Sequence, residues 1–468
     1  MSKKTTKTTE KKNASKKKVE KEVKTKTTKK QTKKELKQPK KVIKEDVLKS
    51  EAIVEVKPKK KRRKIQDKRL RILRYITFAL AGILLIEGVY FGIKLYTIRK
   101  NSTYYSSISS MVETKDGFVA VGLSDSRHSK YVKYEKPGYN KPYIWVYDKE
   151  FKIKNEIQFE LGYNGTFMDI IEVEDGYIVV GYTEMSETNH KEGNSEGMII
   201  KYDKNFKILW RKNLDVLGNT RLNAVKEMTD GTYLVVGSSV YASDVIGNHT
   251  HGGAIAVRYN DKGEQLSIIN YGGPRTGEFN DVVLLDDGFI TVGVRSTGTG
   301  IIFKYDYNGN ELWHNYYGYT DGKGLTSITK LSNTEFIVTG SKLDEKDKTD
   351  NYKAALLKYD NNGKLIDEKL YQKSKITRFQ DSTVIDENIY VVGLYGQQVE
   401  KELDNDSVVV IYSKDFNEIE EKIYEGEKTY TLNKIFNYDD SYLVVGHTDS
   451  KIKALKTNGL DYYQLITK

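Results

Sequence analysis

Three aspartates, Asp169, Asp281 and Asp381, occupy one position of a long internal repeat, at the start of an apolar strand. Asn223, Asn280, Gln380 and Asn433 fall one place earlier in the same register. Three carboxylates gathered around one opening could hold a cation or raise one another's pKa. The competing reading, which we favour, gives each carboxylate to its local backbone. His249 and His251, two apart in GNHTHGG, could share a divalent metal, but a site needs a third ligand and the sequence supplies none, so no metal is assigned. Asp306, Asn308 and Asn310 resemble the start of a calcium loop. They lack the distal bidentate acid and recur as a hairpin turn in other repeats, and we read them as that turn. The segment SDSRHSKYVKYEKPGYNK places Arg127, His128, Tyr131 and Tyr134 together, a basic, tyrosine-rich surface suited to an acidic polymer or a protein epitope. No P-loop, nucleophile elbow, HExxH or dinucleotide fingerprint is present, so no catalytic residue and no cofactor is assigned. A carboxylate pair for glycoside hydrolysis has no local spacing rule and stays open as an alternative.

These residues ride on a repeat with a clear period. The phrases DGFVAVG, DGYIVVG, DGTYLVVG, DGFITVG, NTEFIVTG, ENIYVVG and DSYLVVG close at Gly122, Gly181, Gly237, Gly293, Gly340, Gly393 and Gly446. Such spacing signals an array of units that cannot bury their apolar faces alone. A variable loop follows each glycine. Then comes a second apolar strand that usually ends in Tyr-Asp and a tight turn, as in KYDKNFKILW and KYDYNGNELW. With a run before each phrase and another after each turn, every unit has four strands, a to d. Four strands repeated seven times predict a seven-bladed β-propeller over 104–468. Both terminal units read as complete, the last with strand c at 452–460 and strand d near Leu465, so the ring should close by face packing rather than by a shared strand. The loops between strands b and c are long, over 124–141, 183–197, 239–253, 342–352 and 395–406, and short in the fourth and seventh units. Excess length on one face predicts a binding surface on a rigid scaffold.

The pattern DG-aromatic-apolar-Gly followed by K-Y-D-x-x-G-x-x-x-W resembles bacterial seven-bladed β-propeller repeat proteins and, more distantly, the quinoprotein-like propellers. The resemblance covers 104–468 and implies the fold. The quinoprotein catalytic signature is missing, so no enzymatic role carries over.

The front of the chain differs. Residues 1–74 hold 31 Lys or Arg against 9 Asp or Glu, while the remainder is net acidic. The Lys- and Thr-rich start lacks apolar residues and reads as a disordered tail. Residues 75–93 are apolar apart from Glu87 and long enough to span a bilayer, with Lys94 just beyond. The cluster Lys59, Lys60, Lys61, Arg62, Arg63 and Lys64 lies just before it, which holds the N-terminus in the cytoplasm and puts the rest outside. The domain plan is therefore a tail (1–74), an uncleaved signal anchor (75–96), a linker (97–103) and a propeller (104–468). The basic cluster should meet anionic lipid at the cytoplasmic face. Nucleic acid is disfavoured, since the tail has no aromatic residue for base stacking before Tyr75. With no cysteine, the exported part has no disulfides and must rest on its core. The functional expectation is a non-enzymatic binding or scaffolding module for a protein or cell-envelope polymer. An exported glycan enzyme and a function centred on the tail are the alternatives.

Overall fold

In the computed structural model, residues 68, 73, 75–77, 106–125, 140–159, 164–184, 195–214, 220–242, 250–271, 277–344, 351–399, 402–425, 430–438, 441–448 and 463–467 are described. The chain divides into two compact units, Met1–Gly92 and Ile93–Lys468. The described residues of the first unit are helical. Among the described residues no helix is long and apolar enough to cross a membrane, and the expected span lies outside them apart from residues 75–77. The basic cluster at 59–64 also lies outside them.

The second unit is all-β, built of antiparallel up-and-down sheets in chain order. The first sheet joins β1 (Ser106–Thr114), β2 (Gly117–Asp125), β3 (Asn140–Tyr147) and β4 (Ile153–Gln158). The second joins β5 (Gly165–Val173), β6 (Gly176–Glu184), β7 (Ser195–Asp203) and β8 (Ile208–Leu214). The third joins β9 (Thr220–Glu227), β10 (Tyr233–Ala242), β11 (Thr250–Tyr259) and β12 (Gln265–Tyr271). The fourth joins β13 (Gly277–Leu285), β14 (Gly288–Arg295), β15 (Thr299–Tyr305) and β16 (Glu311–Tyr319). Next come β17 (Leu325–Lys330), β18 (Glu335–Leu343), β19 (Tyr352–Asp360) and β20 (Leu365–Tyr371), then β21 (Ile376–Ile385), β22 (Asn388–Val399), β23 (Glu402–Tyr412) and β24 (Glu418–Tyr424). A single parallel bridge, Tyr352 to Ile376, fuses these two quartets into one eight-stranded sheet. The last described sheet joins β25 (Tyr430–Tyr438), β26 (Ser441–Thr448) and β27 (Tyr463–Thr467).

Valine, isoleucine and aromatic residues alternate along the middle strands so that both sheet faces are apolar, and each face must find another. The result is a set of apolar clusters, each sandwiched between consecutive quartets. A further cluster packs Leu443 and Val445 of β26 against Ile108, Phe118 and Trp145 of the first sheet. The fold is therefore β-propeller-like.

One device recurs in every first strand. The ladder slips by one residue between Ile108 and Ser110, Phe167 and Asp169, Val236 and Gly237 (opposite Ala224 and Leu222), and Phe279 and Asp281. The same slip recurs at Leu325/Ser327, Phe379/Asp381 and Leu432/Lys434. Each slip is a β-bulge, with an extra residue in the inner strand. The repeat's closing glycine lies directly opposite: a Cβ on Gly293 would overlap the carbonyl oxygen of Glu278, and one on Gly237 that of Arg221. Only glycine admits the bulged backbone at this separation, which is why the phrase ends in glycine each time.

The Tyr-Asp turn is a second device. Asp306 Oδ1 accepts the main-chain N–H groups of Asn308 and Asn310, and Gly309 N donates to Asp306 O. Asp203 and Asp360 do the same in their turns. This confirms Asp306, Asn308 and Asn310 as a turn. The residue three places after the Asp or its equivalent has positive φ and is Gly263, Gly309 or Gly363 in three quartets but Phe151, Phe206 or Phe416 in three others. The glycines at 263 and 363 lie against Trp210 and Trp313 of the preceding quartet, whose indole N–H groups donate to Asp261 O and Asn361 O. The phenylalanines instead cover their own quartet: Phe151 stacks on Phe118 and Phe206 on Tyr177.

Two sequence expectations need correction. The stretch 395–406, read as a long loop, is a paired ribbon in which Val399 faces Glu402, because polar residues continue the ladder beyond the sheet. Tyr463–Thr467, expected as a fourth strand, pairs directly with β26, Gly446 opposite Leu465. The expected strand at 452–460 lies outside the described residues.

Candidate functional site

The bulge decides what faces the middle of the array. The residue following each slip is Ser110, Asp169, Ala224, Asp281, Ser327, Asp381 or Lys434. All of these but Ala224 line one cavity of about 510 Å³, to which β9 adds Lys226. The three candidate aspartates thus share a single site, as their common register implied.

They are not free ligands. Asp169, Asp281 and Asp381 are 8%, 5% and 5% exposed. Ser110 Oγ donates to Asp169 Oδ1 at 2.8 Å, and Val225 N donates to Asp169 Oδ2 at 3.0 Å. Asp169 therefore ties β5 to the inner strands on both sides. Asp281 Oδ1 accepts its neighbour Val282 N, and Oδ2 accepts Ile328 N at 3.1 Å. Asp381 Oδ2 accepts Ile435 N at 3.0 Å. Ser327 Oγ lies 2.9 Å from Asp281 Oδ2 and 2.5 Å from Asp381 Oδ1. The local-backbone reading is corrected: only Asp281 Oδ1 serves its own strand, and the other donors come from neighbouring quartets and the last sheet because the bulge turns the carboxylates toward the adjoining inner strands.

A serine hydroxyl has one proton and cannot donate to two carboxylates at once. The count closes if Asp381 carries a proton and donates it to Ser327 Oγ, whose own proton goes to Asp281. Electrostatics agree. Burial pushes the Asp381 carboxyl above the usual range, and the charge of Asp281 adds to this against the opposing pull of Lys434. For Asp281 burial is outweighed by Lys434, Lys226 and the two main-chain N–H groups, which hold it below the usual range. Lys434 Nζ is 3.7 Å from Asp381 Oδ1, on a side chain 27% exposed. Burial works against its charge, but Asp381, Asp281 and Asp169 more than compensate and raise its pKa. Lys434 is thus a tethered counter-ion, placed where a cation would otherwise sit. No group of acidic or histidine residues suited to a metal occurs among the described residues.

The bulged residues also act outward. Asn223 Nδ2 donates to Phe279 O, Asn280 Nδ2 to Leu325 O, and Thr326 Oγ1 to Phe379 O, each across one junction. Asn433 Nδ2 donates to Ile108 O at 2.6 Å, which makes the same link from the last sheet to the first. Gln380 departs from this pattern and accepts from Arg378 Nε. The sequence marked these amides only by register; their role was legible in no motif.

Arg127, His128, Tyr131, Tyr134 and His249 lie outside the described residues. His251 lies on β11 opposite Tyr241. Three of the long b–c segments fall mostly outside the described residues, while the fourth unit's connection is short, turning at Gly298.

No family model matches the chain, and a search of the curated proteins finds no match. Among solved structures the chain is similar to a DUF4221-family protein from Bacteroides vulgatus, at 12% identity and a TM-score of 0.31 over 60% of this chain and 86% of that one. It is also similar to the acylaminoacyl peptidase of Pyrococcus horikoshii, at 10% identity and a TM-score of 0.36 over 75% of this chain and 58% of that one. A Trypanosoma rangeli sialidase in complex with the inhibitor DANA is similar at 9% identity and a TM-score of 0.36, over 69% of this chain and 57% of that one.

Proposed function

We propose that the quartets and the last sheet are seven blades of one closed propeller, held outside the cell by a single membrane anchor. It serves as a rigid, non-enzymatic binding module for a protein or a cell-envelope polymer. One observation carries the non-enzymatic reading: every cavity aspartate spends at least one oxygen on a donor from an adjoining inner strand, and Asp281 spends its other on its own Val282 N. A carboxylate needed for acid–base or nucleophilic work must reach substrate, and these reach only the scaffold. The divergent pKa directions of Asp281 and Asp381 are the mark by which acid–base pairs are recognised, and they keep a glycan-cleaving enzyme as the second reading. Binding is then the task of the b–c loops, with Arg127, His128, Tyr131 and Tyr134 as first contacts. The basic cluster at 59–64 holds the tail against anionic lipid on the inner leaflet.

The test compares full-length protein in lipid nanodiscs with two variants, an Arg127→Ala/Tyr131→Ala/Tyr134→Ala triple and Asp169→Asn. Capture of a purified cell-wall glycan or envelope protein should fall at least tenfold in the triple variant and persist in Asp169→Asn. Release of reducing sugar from that glycan, abolished by Asp169→Asn, would replace this reading with the enzymatic one.

A further inference from the structure

Two residues beyond each bulge the inner strands carry a second row of side chains. In six strands the residue is Val112, Ile171, Val283, Thr329, Thr383 or Phe436, none of them charged. In β9 it is Lys226. The cavity of about 510 Å³ extends to this row, and Lys226, Val112, Ile171, Val283 and Phe436 line it together with the aspartates. That volume is in the range of small-molecule sites.

The charges along this wall are spent, with two exceptions. Asp169, Asp281 and Asp381 serve the scaffold's donors and Lys434. Glu172 Oε1 takes the ammonium of Lys204 at 2.7 Å. Lys226 and Lys330 remain, and neither makes a hydrogen bond or an ion pair among the described residues. Lys330 is exposed, whereas Lys226 is half-buried. A half-buried ammonium gives up part of its water, and here it gains no contact partner in return. Its charge reaches the cavity nonetheless: against burial, Lys434 and Lys226 together hold the Asp281 carboxyl below the usual range. The scaffold does not call for a cation at this place, since the other six strands manage without one. Val112, Ile171, Val283 and Phe436 are also only half-buried, so the wall offers unused apolar surface beside an unused positive charge.

We propose that the cavity is a binding site for a small monocarboxylate with an apolar body, its carboxylate on Lys226 and its hydrocarbon against Val112, Ile171, Val283 and Phe436. A single negative charge suits the site. The ionised Asp281 shares the field of Lys226 and would repel a dianion. An amine would find the three aspartates already hydrogen-bonded, and a neutral guest would leave Lys226 without a partner. The site lies on the inner strands and uses none of the long b–c loops, so it stands apart from their role in binding.

Titration calorimetry on the full-length chain in lipid nanodiscs, with empty nanodiscs subtracted, tests the site with hexanoate, hexylamine and hexanol at pH 7. Hexanoate should bind at least about tenfold more tightly than the other two, the share of one charged hydrogen bond. This comparison needs no variant. Pentanoate, one methylene shorter, should bind about fourfold more weakly than hexanoate. Lys226→Met should weaken hexanoate at least about tenfold, and Lys226→Arg should keep most of the affinity. Lys330→Met is the control and should stay within about threefold of the wild type. The Arg127→Ala/Tyr131→Ala/Tyr134→Ala triple should bind hexanoate as the wild type does, which separates this site from the loop surface. No saturable binding of hexanoate, tighter binding of hexylamine, or undiminished hexanoate binding by Lys226→Met would overturn the proposal.

Discussion

Ser327 stands between two carboxylates with one proton to give, and the consequences divide sharply between its partners. Asp381→Asn replaces the carboxyl whose pKa burial raises by an amide that can donate to Ser327 and accept from Ile435 N. It should cost under about 1 kcal/mol. Asp281→Asn removes the ionised acceptor of Ile328 N and the charge that steadies Lys434, and should cost about 2–4 kcal/mol. Urea melts at pH 7 separate the two, and equal costs would show that the proton lies elsewhere. The pH dependence has opposite signs as well. Asp281, held low, gives stability above the unfolded carboxylate pKa that is lost as acid protonates it. Asp381, held high, gives stability in acid that is lost as pH rises through its folded value. Asp281→Asn should therefore flatten the acid limb of a stability profile, and Asp381→Asn should steepen it. At this scale the sequence showed which residues share a register but not what they touch. A carboxylate at a strand start reads the same whether it binds its own turn or the next sheet.

At the scale of the element, a glycine and a bulge form one unit of information. Gly293→Ala would drive a methyl group into the backbone of β13, and relief requires the bulge to shift and Asp281 to leave its place. The expected loss is above about 3 kcal/mol, the range in which named backbone clashes fall. Gly231→Ala is the control. Gly231 has φ +75° with open space around it, so only its left-handed backbone is charged, about 1 kcal/mol. Chemical denaturation of both variants checks the contrast, and similar losses would sink the close-approach account. The strands and turns were legible because apolar runs and Asp-x-x-Gly turns carry local signals. The bulges were not, because Met168, Asn223, Thr326 and Gln380 share no chemistry that marks an extra residue. The ribbon at 395–406 was misread for a related reason: exposed pairing uses polar residues that look like loop.

For the whole molecule, the repeat period foretold stacked sheets, and the apolar clusters between consecutive quartets bear that out. Tyrosine does much of the joining at the outer margin. Tyr317 OH donates to Glu368 of the next quartet at 2.5 Å, and Tyr371 OH to Glu421 at 3.0 Å. The abundance of tyrosine suggested such a rim, while the individual pairs needed the fold to bring strands about 50 residues apart together. The proposed orientation across a membrane rests on charge alone. Protease added to intact, wall-stripped cells should digest residues 104–468 and spare an epitope placed in 1–70. Loss of that epitope would reverse the assignment.

Because β1 packs against the last sheet through the link from Asn433 to Ile108, the two ends of the array are spatial neighbours. The order in which the sheets are synthesised is then separable from the order in which they stack. A gene rearranged to begin at β13 and end at β12, with a short linker joining residue 468 to residue 104, should still yield the same sheet pairings. The covalently unbridged junction would move to the face between β9–β12 and β13–β16. Every protein of this design is, in that sense, one of several linear readings of a circular text.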